Sequence, residues 1–598
     1  MSHVRFIHVA HKCVVTLRNA NLANVRYAAL SYVWGESQSS GSKTRDAPIL
    51  ELRSSNVEAL HQPQSLQGAE VPQTIRDMLD LAVALSVTYV WIDRLCIIQD
   101  DIEDKASQLG NMHAIYNAAH VAVIAAAGND VYHGLPGLRP GSRLSNQKEI
   151  VVLEPCIAGC KQTHEHDNEG LSLLTCLEPF VRGSSYLDKA NWSRRGWTMQ
   201  ERILARRSLI FTEQQVRFAC ANTTFSEDTY CEFPFPRMQA FSKAEGDHGL
   251  RSSVRVFSES GDPETRLWGQ FKTLVSQYST RLLTFGGDVH DAFAAITQAL
   301  AIEARDEFLW GIPLSQFEIG LSWKTFEGQH RRTDFTTLPM TDKRRRVPFP
   351  SWSWMGWVGQ TSIAVGRERT ETEKPTIECY VHTPSGDDSI KLDTIQHATP
   401  ASKSWKPRHF PKFWKFHPNR VVSVNDVREH LYDVPMQTLR DMPSNHLLLF
   451  WTSSAKFRVS RPESEGERLL LREPRLDFVC QHCYTVEQHM SGALEPKEKI
   501  QVAQNYAPNM LNEYGQVVGT LSPMTPEFWK DRNYDSGVHE FIVLARRTIP
   551  ELADVFPATL LVMQVERVDG IWYRVNMGEI VETDWNAAEV QWKLIALG

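Results

Sequence analysis

Three short apolar runs mark the first 130 residues, and the polar stretches between them carry helical spacing. Residues 26–33, 88–92 and 121–127 are dense in apolar, β-branched and aromatic side chains. The first closes at Trp34-Gly35 and the third at Gly128. Runs of this kind predict strands buried on both faces. After the first, Pro72 followed by Thr74 predicts a helix start, and Ile75, Met78, Leu79, Ala82 and Leu85 recur at three- and four-residue intervals. After the second, Asp100 or Asp101 can cap a helix whose first turn carries Glu103 and Asp104, charges that suit the helix dipole. Its predicted apolar face is Ile102, Ala106, Leu109, Met112 and Tyr116. Strand, helix, strand, helix, strand predicts an α/β fold with a parallel sheet flanked by helices.

The remaining pattern sets the organisation. Residues 13–17 predict a leading strand, and 209–211 with 216–220 predict a strand pair. Leu135-Pro-Gly-Leu-Arg-Pro-Gly141 breaks the alternation and opens a polar insertion over about 141–190. Residues 288–302 predict a helix, with Val289, Phe293, Ile296 and Leu300 at helical spacing. Beyond it, strand-like runs at 351–358, 447–451, 541–545, 558–565 and 572–575 alternate with polar, Pro-containing connections such as 371–375 and 399–411. The expected division is 1–230, with a core over about 25–220; 231–345, mixed helical and β; and 346–598, a β-rich C-terminal region.

Composition narrows the classes. A chain of 598 residues exceeds one ordinary core, and 42% hydrophobic content is that of a globular protein. A formal net charge of -7 is small for this length and argues against a nucleic-acid partner. No run of about 18 apolar residues predicts a membrane span, and residues 1–10 have neither the basic start nor the apolar centre of a secretion signal, so the cytoplasm is the expected location. Ten dispersed cysteines fit reduced thiols better than a disulfide framework.

The densest chemistry lies in Trp192-Ser-Arg-Arg-Gly-Trp-Thr-Met-Gln-Glu201, just ahead of a helix-like run at 201–205. On a helix, Trp197, Glu201 and Leu204 or Ala205 share one face, so Glu201 points where apolar neighbours point. A carboxylate there has to be paired, protonated or open to a cavity, because an unpaired buried charge costs roughly several kcal/mol. An ion pair with Arg194, Arg195 or Arg202 and an active-site role both satisfy that pattern. Parallel sheets bind ligands outside the carboxyl ends of their strands. Residues 31–35, residues 93–99 and the approach to Glu201 lie at such ends and converge on one rim. The plainer alternative is that Trp34, Trp91 and Trp197 only fill a core.

Other chemistries leave weaker traces. Cys480-Gln-His-Cys483 is half a zinc motif, and Cys156, Cys160 and Cys176 with His164 and His166 are looser still; neither predicts a metal site. Cys96 with His113 could form a thiol and base, but its Leu-Cys-Ile-Ile setting predicts an inert core thiol. There is no Walker-type loop, glycine-rich dinucleotide fingerprint or Gly-x-Ser-x-Gly elbow.

Four blocks, in order, resemble the heterokaryon incompatibility (HET) domain of filamentous fungi. They are Tyr27-Ala-Ala-Leu-Ser-Tyr-Val-Trp-Gly35, Tyr89-Val-Trp-Ile-Asp-Arg-Leu-Cys-Ile-Ile-Gln-Asp-Asp101, Met112-His-Ala-Ile-Tyr-Asn-Ala-Ala119 and the Trp192 to Glu201 stretch. Phe349-Pro-Ser-Trp-Ser-Trp-Met-Gly-Trp357 and Trp572-Tyr-Arg-Val575 resemble pieces common in full-length members. Two positions depart from the pattern: Ile98, where many members carry Asn, and Ala219, where an acid often precedes Cys220.

HET domains look like distant relatives of TIR domains, so the resemblance implies a TIR-like, flavodoxin-like sheet. It also implies a glutamate that cleaves NAD in enzymatic members. Ser31-Tyr32 and Trp197-Thr-Met-Gln-Glu201 are similar to the two TIR features, which makes Glu201 the catalytic candidate. Ser31, Tyr32, Trp34, Gly35, Asp93, Gln99 and Trp197 are the substrate-binding candidates. No cofactor is implied, NAD being substrate. The same resemblance leaves open a module without turnover, which self-associates through the HET domain and engages an incompatibility partner to trigger regulated cell death. The β-rich region would then sense a partner or restrain the first domain.

Overall fold

The computed structural model describes residues 3–35, 49–143 apart from 69, 149–152, 171–174, 187, 190–220, 224–227, 263–325, 330–333, 335–337, 346–363, 372–375, 377, 379–385, 389–394, 421–423, 442–443, 445–460, 508–522, 537–548 and 557–598. The chain forms two compact units. The first holds residues 1–262, 281–283 and 291–298, and the second the remainder.

The first unit is built on one sheet. The strands of this unit are β1 (His3–His8), β2 (Cys13–Arg18), β3 (Tyr27–Ser31), β4 (Tyr89–Trp91), β5 (Val121–Ala125), then β6 (Glu149–Val152) and β7 (Leu171–Leu174), which among the described residues form a separate pair, and β8 (Arg207–Phe211), β9 (Val216–Cys220) and β10 (Thr224–Ser226). Helices follow as α1 (Val57–Leu60), α2 (Gln73–Ala84), α3 (Asp93–Cys96), α4 (Ile102–Gly110), α5 (Met112–Ala118), α6 (Asn191–Arg194) and α7 (Gly196–Leu204). Across the sheet the order is β10-β9-β8-β5-β3-β4-β1-β2. The four central strands, β8, β5, β3 and β4, run parallel, and antiparallel pairs flank them on both sides. Numbered along the chain, the parallel centre reads 2-1-3-4, the order of doubly wound sheets whose ligands sit where the winding reverses, between the first and third strands.

The apolar runs behave as their composition dictates. Tyr27, Ala28, Ala29, Val90, Trp91, Ala122 and Val123 are fully buried, as expected where helices cover both faces. Pro72 opens α2 and Asp101 caps α4, its carboxylate accepting from the amides of Glu103 and Asp104. Buried Asp77 on α2 accepts from the Leu135 amide at 2.8 Å and so fixes the turn that leaves β5.

Three expectations need correction. The helix expected to run from Ile102 through Tyr116 is two helices broken at Asn111 (φ -103°, ψ 5°), and Ile102 is 75% exposed rather than part of an apolar face. Gly110 and Asn111, both weak helix formers, concede the break. The helix carrying Glu201 starts five residues earlier than the apolar pattern suggests, at Gly196. Residues 281–283 return to pair there, with Gly196 N–H donating to Leu282 O at 2.7 Å.

The third correction concerns residues 351–358 in the second unit, where the alternating Trp pattern imitates a strand but forms a turn and a 3-10 helix, Trp354–Gly356, with only Trp357–Val358 extended and paired to His330–Arg331. Each indole donates to a backbone carbonyl: Trp352 to His446 O and Trp354 to Gly311 O on distant segments, and Trp357 to Ser351 O at the start of its own turn. Elsewhere in this unit the short runs read from sequence are pieces of long antiparallel strands, Leu448–Ser460, Val538–Thr548, Thr559–Val568 and Ile571–Val581. Together with Val517–Leu521 and Asn509–Leu511 their pairings close a ring of six strands. Among the described residues no helix is long and apolar enough to cross a membrane.

Candidate functional site

The carboxyl ends of β3 and β4 and the second turn of α7 meet at the rim. Ser31 closes β3, Asp93 follows β4, and Glu201 lies on α7. Ser31 Oγ accepts the indole N–H of Trp192 at 2.7 Å and donates its own proton to Glu201 Oε2. All three side chains are buried, Glu201 at 7% exposure. The partner of Glu201 is therefore a hydroxyl, not one of the neighbouring guanidinium groups on its own segment. Arg195 instead donates to the Tyr32 carbonyl at 3.1 Å.

Asp93 is held by two donors, Trp34 Nε1 at 2.8 Å and the Arg94 amide at 2.7 Å. The Gln99 side chain turns back on its own loop, donating to Asp93 O at 3.0 Å and Ile97 O at 3.1 Å, so it supports the loop that presents Asp93. Gly35 takes φ 87°, a conformation suited to glycine, and a Cβ there would sit 3.0 Å from the Asp130 Cβ. Trp197 is half-buried and packs on the sheet core, while Tyr32 is buried beside the end of β3. The structure thus joins Ser31 directly to Glu201 and Trp34 directly to Asp93, with Gln99, Gly35 and Trp197 in supporting places.

Burial sets the protonation chemistry. It pushes Glu201 up to about 7; the Ser31 hydrogen bond opposes the shift, the Asp93 charge adds to it, and Arg195 and Tyr116 oppose it. Burial likewise raises Asp93, against its bond from the Arg94 amide and the charge of Arg94. Two carboxyl groups in one desolvated rim cannot both ionise freely, so one of them is kept near neutrality as a proton acceptor or donor. Cys96 is fully buried and its thiol is pushed up to about 12, which makes it inert.

Three contributors were not singled out from sequence. Tyr116, read as part of an apolar helix face, donates its hydroxyl to Leu30 O at 3.1 Å and stands within electrostatic range of Glu201. The Trp192 indole orients Ser31. Arg94 lays its guanidinium 4.2 Å from the centre of the Trp34 ring. An indole or phenol in a buried run brings one polar atom that needs a partner, and that requirement was the available signal. The cysteine and histidine groups at 156–176 and 480–483 lie outside the described residues. Among those described, no cluster of three or more His, Cys, Asp or Glu could hold a metal ion.

Residues 27–201 match the family model described as heterokaryon incompatibility protein (HET). Over 100 residues, 16% of the chain, the sequence is 35% identical to heterokaryon incompatibility protein 6, OR allele, of Neurospora crassa. That match spans 14% of the relative's length. No solved structure matches the chain.

Proposed function

Residues 27–201 are a HET domain, and from that premise we propose that the chain serves self/non-self incompatibility by cleaving NAD at its nicotinamide–ribose bond, with Glu201 as the acting carboxyl. The 2-1-3-4 order of the parallel strands supports a TIR-like reading of the domain. The observation that carries the proposal is the buried Glu201 carboxyl, bonded to the Ser31 hydroxyl at the strand ends rather than neutralised by an arginine.

The chemistry follows from that placement. The N-glycosidic bond breaks with its electron pair passing to the nicotinamide nitrogen, and a water oxygen bonds to C1′ of the ribose. The proton lost by that water goes to the Glu201 carboxylate and from there to solvent. With a pKa of about 7, Glu201 is divided between base and acid near neutrality, which suits this exchange. Its ionised fraction also opposes the positive charge that develops on the sugar. Asp93, oriented by Trp34 and the Arg94 amide, is placed to accept from a ribose hydroxyl. Trp34 offers an indole face to a ring.

The test is nicotinamide release from NAD by the purified chain at high protein concentration, for wild type and Glu201→Gln, beside a cell-killing assay. Release by the wild type, lost with killing in the variant, is expected. Killing that survives Glu201→Gln would replace hydrolysis with a self-associating module that engages a partner.

A further inference from the structure

Two donors at the rim are buried without acceptors. Among the described residues neither the Tyr32 hydroxyl, in a residue 4% exposed, nor Nε of Arg94, in a residue 6% exposed, has an acceptor for its proton; the Arg94 guanidinium lies beside the Tyr32 oxygen and lowers the phenol against its burial. Buried donors are nearly always satisfied, and one left open costs roughly 1–3 kcal/mol, so two together call for an occupant. The guanidinium feels the Asp93 charge but makes no short ion pair. Its nearest ion pair, Arg94 Nη1 with Glu51 Oε2, spans 3.9 Å, because the other carboxylate oxygen of Glu51 is taken by Arg53 at 2.5 Å. Arg94 instead rests against the face of Trp34 at 4.2 Å. Its position is fixed by the backbone around it: its amide caps Asp93 and its carbonyl accepts from Leu52 N–H at 2.9 Å. A phenolic O–H and a loosely paired guanidinium can both donate to an incoming group, and Arg195, bonded to the Tyr32 carbonyl, adds a second positive charge nearby.

We infer that Arg94 and Tyr32 form a phosphate-binding subsite at the rim, so that the substrate recognised there is a nucleotide and not the corresponding nucleoside. The inference rests on the reading that this rim binds substrate, and it names the part of the substrate that these donors hold. Asp93 and Glu201 serve the ribose end, and Arg94 with Tyr32 serve the phosphates. The phosphate oxygens supply the acceptors that both donors lack, and charge-assisted bonds of this kind are the stronger class. Arg94 leaves the indole face, or tilts on it, as it turns toward the phosphate.

Binding separates this inference from the hydrolysis reading. ADP-ribose and adenosine are titrated calorimetrically into the full chain, into Arg94→Met and into Tyr32→Phe, with NAD and nicotinamide riboside compared as substrates. The expected result is that ADP-ribose binds the wild type and adenosine binds far more weakly. Each substitution should weaken ADP-ribose roughly 10- to 100-fold, a larger change than it makes in the KM for nicotinamide riboside. Arg94-dependent ADP-ribose binding without nicotinamide release would keep the subsite and remove the hydrolase. The subsite is overturned if the wild type binds ADP-ribose no better than adenosine, if it binds neither, or if both variants bind ADP-ribose as the wild type does. Should Arg94→Met melt early, Arg94→Lys and Tyr32→Phe, which keep charge or ring, carry the same comparison.

Discussion

Two glutamates, one in each unit, show how differently a protein can treat the same side chain. Glu201 sits at a strand rim with a serine hydroxyl as its partner, and burial lifts it to about 7. For Glu579, burial also pushes upward, but Lys324 and Arg547 outweigh it and hold the carboxyl at about 2. Burial alone does not make a functional acid; what decides is whether the surroundings supply a charge or only a dipole. Glu579 is a structural ion pair, permanently ionised. Glu201 keeps the choice of both protonation states, and the choice is what chemistry uses.

The contrast can be broken most severely at Glu201 itself. Glu201→Gln should lower the rate of nicotinamide release about 10²- to 10⁴-fold, with assembly and folding retained. A rate within a few-fold of wild type would remove Glu201 from the reaction.

Stability should move the opposite way. The folded pKa of Glu201 lies above the ordinary 4.5, so between those values the folded chain holds a proton that the unfolded chain has released, and stability falls as pH rises. Above about pH 7 the whole penalty applies, on the order of 3 kcal/mol. Glu201→Gln lacks it, so denaturant melts should show the variant gaining on wild type between pH 5 and pH 8 by up to that amount. Equal pH dependence in both chains would show that Glu201 titrates normally.

Lys324→Met should act at Glu579 with the reverse sense. It removes one of two counter-charges from a half-buried carboxylate and should cost about 2 kcal/mol at pH 7, less than a fully buried pair would. Because Glu579 is depressed, its stabilisation is complete above its ordinary pKa and is lost as pH falls toward 2. Urea midpoints for wild type and variant should therefore converge in acid. The smallest effect is expected for Tyr116→Phe. That hydroxyl lowers Glu201, so its loss should move the pH midpoint of release slightly upward; a downward movement would contradict the geometry.

Much of the first unit was legible because its signals are local. The strands at 27–31, 89–91 and 121–125 are near-continuous apolar runs, and Pro72 and Asp101 mark helix starts by chemistry that acts within one turn. Strand ends then placed Ser31, Asp93 and Glu201 on one rim. What sequence did not reveal depends on contacts between distant segments. Whether Glu201 faces Ser31 or Arg195 is settled by how α7 is anchored, and residues 281–283, far downstream of the helix, take part in that. Tyr116 looked apolar because a phenol in a helix face is usually core. In the second unit, the Trp-Ser-Trp alternation has the period of a strand, and only the carbonyls waiting on other segments make it a turn.

The Ser31 arrangement has a directional consequence. Its hydroxyl owns a single hydrogen, given to Glu201, while one of its two lone pairs is taken by an indole that never ionises in water. Proton traffic through this chain of bonds meets a dead end at Trp192. A proton that Glu201 takes up or releases is therefore exchanged on a side other than that of Trp192, and along this branch the inner wall of the rim behaves as an insulator rather than a wire.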